Sequence, residues 1–537
     1  MDDRSYNRSS KRELIERLAA LQQIAVDLLK ERDPHNLLEL IVSRAMKLLL
    51  GDSGSLYLTN RKGELVFEVA LNESIDLNLE STVLDEGEHG IAHYSFTHNK
   101  TLNIIDVYEI DESLPYHFNQ KFDIQHNYRT KSMLCCSLTS SKGEVFGVIQ
   151  IMNRKYGPYE LWPLNSEKRL AEMPHFSNED EELLESFASL ASAAIENSRL
   201  NRDIQNLLDG FVRASVNAIE SRDLATSGHS ERVAILTNSL AVTLSKSQVL
   251  EAKNINFSSE QLKELKYASL LHDFGKIGVK ESILLKAEKL YPEQKMAIEA
   301  RLMEYGHVTE IRHLRGMLEK LAKEEKKISP LELAREYKIV KNLRSEIEQC
   351  WTEILEINKT SVITEDKSKK LEKICSHKFH LLDGKQHPVL NHEEKKYLSI
   401  KKGSLTDEER DAINTHVSMT FKFLEQIPWT NEYKNLTKIA YAHHEKLDGT
   451  GYPLGLKEKQ IPVQSKIMAI TDIFDALVAM DRPYKKAVPF EKALDILNAE
   501  AKDGKLDKFF LKVFIEAKIY LRKDFIEIIQ HPKRKAA

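Results

Sequence analysis

Five short segments in the C-terminal half of the chain concentrate the side chains that could do chemistry. They are GHSERV with His229, LLHDFGK with His272, Asp273 and Lys276, NTHV with His416, AHHEKLDGTGYP with His443 and His444, and AITDIFDAL with Asp472. Neutral imidazole together with carboxylate suits first-row transition metals such as iron, manganese, nickel or zinc. Five histidines and two aspartates exceed the needs of one ion and match two. A carboxylate can bridge two ions ~3.5–4 Å apart, whereas an imidazole ligates only one. His272 and Asp273 are neighbours and on a helix would aim differently, so Asp273 is the candidate bridge. Two such ions would activate a water and aim it at phosphorus for in-line attack. Lys276, four residues after His272, adds a cation on the same helical face. A lone histidine is ordinarily a surface or satisfied core residue, and His313, His387 and His392 read that way. A HisHis or HisAsp pair alone says equally little; the weight comes from the combination.

The elements that must position these groups are mostly helices, because strand signals become scarce after Ser221. Asp273 and His416 lie 143 positions apart. Much of the gap is rich in Lys and Glu with helical periodicity, and reads as two helices broken at Ser329-Pro330. Upstream, Asn178 to Arg222 predicts one long helix. Its residues Leu183, Phe187, Leu190, Ala194, Asn197, Asn201, Ile204, Leu208 and Phe211 follow the four-three spacing of a coiled-coil seam, and two asparagines can fix its register. A parallel homodimer joined here is the favoured reading; a helix packed on its own domains is the alternative. Gly210 costs helix stability and is a candidate bend. Further upstream, GSLYLTN and ELVFEVALN flank Arg61-Lys62-Gly63, and SMLCCSLT and EVFGVIQIMN flank Ser141-Lys142-Gly143, which predicts two hairpins in an α+β domain. Before them, Leu14, Leu18, Leu21, Ala25 and Leu28 predict a helix that seats on a partner helix or on its own domain.

Bulk properties narrow the class. A chain of 537 residues exceeds one ordinary core. With 42% hydrophobic and 30% charged residues it is a globular rather than a disordered chain. A net charge of −4 recommends neither nucleic acid nor an anionic membrane as partner. No apolar run approaches the ~18 residues of a membrane span, and the N-terminus lacks the apolar core of a secretory signal. Four cysteines in so long a chain do not make a disulfide framework. The expected location is cytoplasmic.

GHSERV, LLHDFGKIGV, HHEKLDGTGYPLGL, Ile461-Pro462, ITDIFDAL and DRPYKKA together resemble the HD-GYP domain, a branch of the HD metallohydrolases that hydrolyses cyclic di-GMP. The resemblance implies two divalent transition-metal ions, iron or manganese being the first choices. His229, His272, Asp273 and Asp472 would hold one ion, and Asp273, His416, His443 and His444 the other. Lys276 would touch the phosphate and help the leaving oxygen. Gly451, Tyr452 and Pro453 would shape the substrate entrance, and Arg482 and Lys485 would bind the phosphates or guanine. Some family members hold a third metal through a glutamate where this chain has Ala225, so two are expected. Leu447, Glu458 and Lys280 also depart from the family pattern. The connection between Asp273 and His416 is far longer than in the family, which implies a helical insertion over residues 287–401 that could bind a protein partner. Cys375, His377 and His380 within it have a loosely metal-like spacing but lack an evident fourth ligand.

The upstream region resembles a GAF domain of six-stranded type, a small-molecule sensor. Asn153 and Arg154, Phe176, then Asp180-Glu181 resemble the pattern of the cyclic-nucleotide-binding members, in which such residues brace the fold more than they touch ligand. Another ligand, or none, stays open. Cys135 and Cys136 fall in a predicted core strand and read as structural thiols. The expected architecture is multidomain: an N-terminal helix (1–31), an α+β GAF-like sensor (32–182), a coiled-coil linker helix (183–215) and an all-α HD-type metallohydrolase domain (216–525). The expected protein is a bacterial signalling enzyme, a homodimer that opens cyclic di-GMP to pGpG and onward to GMP. Another cyclic dinucleotide such as cyclic GMP-AMP as substrate, or a catalytically weak receptor, are the alternatives.

Overall fold

The computed structural model describes residues 19–75, 90–164, 166–222, 228–247, 255–324, 329–380, 385–479 and 487–530. The chain divides into two compact units, residues 1–208 and 209–537. Ala225, Arg482, Lys485 and the side chain of His380 lie outside the described residues, as do Leu14 and Leu18.

The first unit opens with α1 (19–30) and α2 (Pro34–Leu49), then β1 (Gly51–Thr59), β2 (Leu65–Asn72), α3 (Ile91–His98), β3 (Leu102–Ile104), α4 (Lys121–His126), β4 (Met133–Thr139), β5 (Val145–Arg154) and α5 (Glu167–Glu172). It closes with the first part of α6 (Asn178–Arg222). The strands form an antiparallel sheet in the order β2-β1-β5-β4-β3, so both predicted hairpins are present. Their turns place Gly63 and Gly143 at φ of 81° and 83°, where a Cβ would be strained. Among the described residues the sheet has five strands, one fewer than the six-stranded type that the resemblance implied.

One core joins the sheet to α1, α2 and α6. Ile24, Leu28, Ile41, Val42, Leu56, Ile149, Leu184, Phe187 and Ala191 are buried together in it, with Leu21 and Leu183 packed against them. This decides one open reading of periodicity and corrects part of another. The described part of the N-terminal helix seats on its own domain, one of the two options. The first half of the predicted seam, including Phe187 and Ala194, packs on its own sheet as well. Further along α6, Leu200, Ile204 and Leu207 are 56%, 56% and 74% exposed. Gly210 sits inside α6 without interrupting it.

The brace predicted for this unit is built. Arg154 Nε donates to Asp180 Oδ2 at 2.8 Å, Ser177 N donates to the same oxygen at 2.9 Å, and Phe176 is buried beside them. Asn153 donates to the Tyr128 hydroxyl at 2.9 Å. None of these except Tyr128 lines the ≈370 Å³ cavity that opens among Tyr57, Phe67, Phe118, Phe122 and Gln150. Burial pushes the Cys135 and Cys136 thiols up to about 12 and about 11, which makes them inert structural groups.

The second unit holds α7 (His229–Lys246), α8 (Ser259–Leu271), a 3₁₀ turn (Phe274–Gly278), α9 (Glu281–Leu284), α10 (Pro292–Glu324), α11 (Pro330–Lys359), α12 (Glu365–Ser376), α13 (His392–Leu398), α14 (Asp407–Glu425), α15 (Leu436–Tyr441), α16 (Val463–Val478), α17 (Phe490–Lys502), α18 (Lys508–Glu516) and α19 (Lys523–Gln530). The break at Ser329-Pro330 is a capping box: Ser329 and Glu332 satisfy each other's backbone amides, and Pro330 opens α11.

The segment 287–401 encloses its own core of Leu290, Ile298, Leu302, Ile354, Ile357, Leu371 and Leu398. It is not wholly helical, because β6 (Lys378–His380) and β7 (Gln386–Pro388) pair within it. The chain returns to where it left. Ser404 Oγ donates to the Lys286 carbonyl at 3.1 Å, and Lys286 Nζ lies 2.8 Å from both Glu409 oxygens. Cys375 packs against that core and His377 Nδ1 turns to the Lys373 carbonyl at 2.8 Å, so the two serve packing and capping.

Candidate metal centre

The predicted ligands arrive on the ends and faces of five helical elements. His229 opens α7, His272 caps α8, His416 lies on α14, His443 and His444 follow α15, and Asp472 lies on α16. All but His444, which is partly exposed, are buried. Three triads each bring one donor atom per residue within 4.8 Å of the others: His416-His443-His444, His229-His272-Asp273 and His272-His443-Asp472.

Asp273 stands at the centre. Its Oδ2 is 3.3 Å from His272 Nε2 and 3.6 Å from His229 Nε2, while its Oδ1 is 3.2 Å from His416 Nε2. Asp472 is divided likewise, Oδ1 lying 3.3 Å from His229 Nε2 and Oδ2 3.8 Å from His444 Nδ1. The expectation that His272 and Asp273 aim apart on one helix is corrected. Helix α8 ends at Leu271, and Asp273 leaves helical geometry at φ −97°, ψ 6°, so the two side chains converge. Lys276 accordingly sits on the 3₁₀ turn rather than on the helical face of His272, with Nζ 2.8 Å from Asp273 Oδ2.

Gly275 permits this turn. Its amide donates to Thr420 Oγ1 at 2.8 Å, and Thr420 Oγ1 donates to the His272 carbonyl at 3.0 Å. A Cβ on Gly275 would lie 1.9 Å from the His416 carbonyl oxygen. The close approach is what brings His416 up to Asp273.

The protonation pattern at His443, His444, Asp273 and Asp472 suits metal binding, which needs neutral imidazoles and ionised carboxylates, whereas Asp472 and Asp475 hold the His229 imidazole up to about 9 against its burial. His272, His416 and His443 each direct Nδ1 at the carbonyl three residues earlier, at 2.7, 2.7 and 2.6 Å. A donating Nδ1–H leaves Nε2 as a lone pair. All three Nε2 atoms are buried without a hydrogen-bond partner. An orphaned buried acceptor costs roughly 1–3 kcal/mol, and three of them, each within 4.8 Å of further donors of the cluster, fit metal cations. Burial, then the neighbouring imidazoles, pushes His443 far below the usual range; burial brings His444 down to about 4 against the pull of Asp472. Burial would raise the Asp273 and Asp472 carboxyls. Lys276 and His272 outweigh it at Asp273, and His229 and His272 at Asp472, so both are held well below the carboxylate range.

The loop of Gly451, Tyr452 and Pro453 borders the cluster, with the Tyr452 ring centroid 4.8 Å from that of His444. Glu445, which the sequence reading passed over, anchors this loop by accepting from Leu454 N and Leu456 N at 2.7 and 2.8 Å. A Cβ at Gly451 would meet Lys446 N at 2.3 Å, so only glycine closes the loop. Arg232 and Asp475, also passed over, are buried beside His229. Each lies three residues beyond a predicted ligand on its helix, a spacing that could have pointed to them.

Comparison with known proteins agrees with this arrangement. The GAF domain family model matches residues 33–195, and the HD domain family model matches residues 393–509. The second match includes His416, His443, His444 and Asp472, while His229, His272 and Asp273 precede it. Over 97 residues the chain is 43% identical to the 3'3'-cGAMP-specific phosphodiesterase 3 of Vibrio cholerae, covering 18% of this chain and 20% of that one. Over 135 residues it is 36% identical to a cyclic di-GMP phosphodiesterase of Thermotoga maritima, covering 25% and 34%. The chain thus spans about a third or less of the length of these relatives. Among solved structures it is similar to the GAF domain from a phosphoenolpyruvate-protein phosphotransferase of Coxiella burnetii, at 18% identity over 35% of this chain and 98% of that one, with a TM-score of 0.27. The chain therefore joins a GAF domain to an HD domain. Its GYP loop and its set of histidines and aspartates agree with the HD-GYP resemblance, with the GAF domain preceding the HD domain.

Proposed function

We propose that the chain is a phosphodiesterase that opens cyclic di-GMP to pGpG, and onward to GMP, with two divalent ions, iron or manganese. The observation that carries this reading is the set of three orphaned Nε2 atoms in one cluster with Asp273, whose two oxygens face His272 and His416. In this reading His229, His272, Asp273 and Asp472 hold one ion, and Asp273, His416, His443 and His444 the other. When bound, the ions supply charge to polarise the phosphoryl oxygens and to acidify the attacking water. Asp273 fixes the spacing of the pair. Lys276, now 2.8 Å from Asp273 Oδ2, is the nearby cation that contacts the phosphate and donates a proton to the leaving oxygen. Tyr452 sets the edge of the entrance beside His444.

The test is to purify the protein anaerobically, count its metal and follow cyclic di-GMP by chromatography. Two ions per chain and turnover are expected, and Asp273→Ala and His443→Ala should each abolish turnover. Hydrolysis that survives both substitutions refutes the site. Because one relative at 43% identity is named for 3'3'-cGAMP, the same assay run on cyclic GMP-AMP decides between substrates. We further propose that the exposed apolar stripe of Leu200, Ile204 and Leu207 pairs with a second copy of the chain. Light scattering that reports a monomer would exclude that pairing. A small ligand, a cyclic nucleotide among the options, is proposed for the GAF cavity, and a protein partner for the segment 287–401.

A further inference from the structure

His229 differs from the other deeply buried imidazoles of the cluster. His272, His416 and His443 rest their Nδ1 atoms on neutral backbone carbonyls. His229 Nδ1 instead lies 2.7 Å from Asp475 Oδ2. Asp475 is wholly buried, and Arg232, also wholly buried, grips it from the other side: Nε donates to Oδ1 at 2.7 Å and Nη2 to Oδ2 at 3.1 Å. Arg232 is one turn from His229 on α7, and Asp475 is one turn from Asp472 on α16. The two helices therefore contribute one cluster residue and one half of the ion pair each. Packing alone does not call for such a pair. Taking two charges out of water costs several kcal/mol per ion, and apolar residues of like volume usually serve as well or better.

We infer that Asp475, braced by Arg232, is a positioning residue that orients His229 and makes the ion on the His229 side the more tightly held of the two. The inference rests on the two-ion reading above. An anionic oxygen accepting the Nδ1–H of a ligating imidazole fixes its ring, directs Nε2 inward and raises its basicity; a neutral carbonyl does the first two and less of the third. The ion among His229, His272, Asp273 and Asp472 has one carboxylate-backed imidazole. The ion among His416, His443 and His444 has none at hydrogen-bond distance among the described residues, the carboxylate facing His444 Nδ1 being Asp472 Oδ2 at 3.8 Å. The two sites are inequivalent by construction.

The test is titration of the metal-free full-length protein with Mn²⁺ by calorimetry, with metal content measured after dialysis against graded chelator. Wild-type protein should bind two ions in classes at least tenfold apart. Asp475→Asn should weaken the tighter class about 10- to 100-fold and leave the weaker class unchanged. Should that variant not fold, the charge-balanced pair Arg232→Gln with Asp475→Asn takes its place. Circular dichroism and the melting temperature separate loss of fold from loss of one ion, because a merely structural role would lower both classes together. Two equal classes in the wild type, or an unchanged tight class in a folded variant, overturn the inference. Wild-type protein that takes up no Mn²⁺ overturns the metal reading itself, and is distinguishable from both.

Discussion

Gly275 offers the sharpest test of how the centre is assembled. A Cβ there would lie 1.9 Å from the His416 carbonyl oxygen and 2.5 Å from the Thr420 amide nitrogen. Both are backbone atoms, so no side-chain rotation relieves the clash. Restoring an ordinary 3.4 Å contact from 1.9 Å parts the 3₁₀ turn from α14 by about 1.5 Å. Asp273 rides on that turn and His416 on α14, with 3.2 Å between their facing atoms. The same shift therefore pulls the proposed bridge away from one ion. Overpacking of this kind costs roughly 1–3 kcal/mol, and a 1 Å misplacement at a reacting centre can cost about 10²-fold in rate. Gly275→Ala should lower stability in urea by about 2 kcal/mol, lose one bound ion and slow hydrolysis about 100-fold. Gly278→Ala is the control. Its Cβ meets Met419 Sδ at 2.2 Å, the movable end of a flexible side chain. It should stay within about 1 kcal/mol of wild type and keep both ions. Should the two variants prove alike in stability and metal content, the close approach does not build the site.

Two further outcomes follow from groups away from the centre. A Cβ at Gly210 meets nothing within 4 Å in the interior of α6, so Gly210→Ala should raise stability by roughly 0.5–1 kcal/mol in a denaturant melt. Lys289 is wholly buried, its ammonium donating to the Ile400 carbonyl, and burial followed by the nearby Lys367 pushes it down to about 8. Below pH 8 it is charged in both states and the burial cost is present in full. Between pH 8 and its unfolded value near 10.5 the unfolded chain binds more protons, so stability gains from this group as pH rises. Lys289→Met should remove that rise, worth about 1–3 kcal/mol, and urea midpoints at pH 7.5 and 10 for both proteins check it.

The candidate site was legible because seven ligand-type residues in five separated segments are hard to assemble by accident. Its geometry was less so. The run LLHDFGK reads as continuous helix, and only the approach of α14 to Gly275 explains why α8 stops and Asp273 turns back. The Arg232–Asp475 pair was visible as an i+3 spacing but had no signal of burial. Periodicity traced a seam along α6 yet could not say what covers it: Phe187 and Ala194 meet their own sheet while Ile204 is exposed, and the exposed Leu200 and Leu207 lie off that seam. Strands β6 and β7 hold three residues each, too few for an alternating pattern to register.

The self-enclosed core of the segment between Lys286 and Ser404 also sets an order in time. At roughly 5–20 residues per second, the 143 positions from Asp273 to His416 take a ribosome about 7–30 s to synthesise. During that interval His229, His272 and Asp273 are present and the imidazoles that complete the cluster are not. Leu290, Ile298 and Ile354 can begin to collapse in the meantime, and Leu398 completes that core 18 positions before His416, which draws Lys286 and Ser404 together and replaces a long, entropically costly closure with a short one. The segment that interrupts the centre in sequence thereby acts as an internal splint during its assembly.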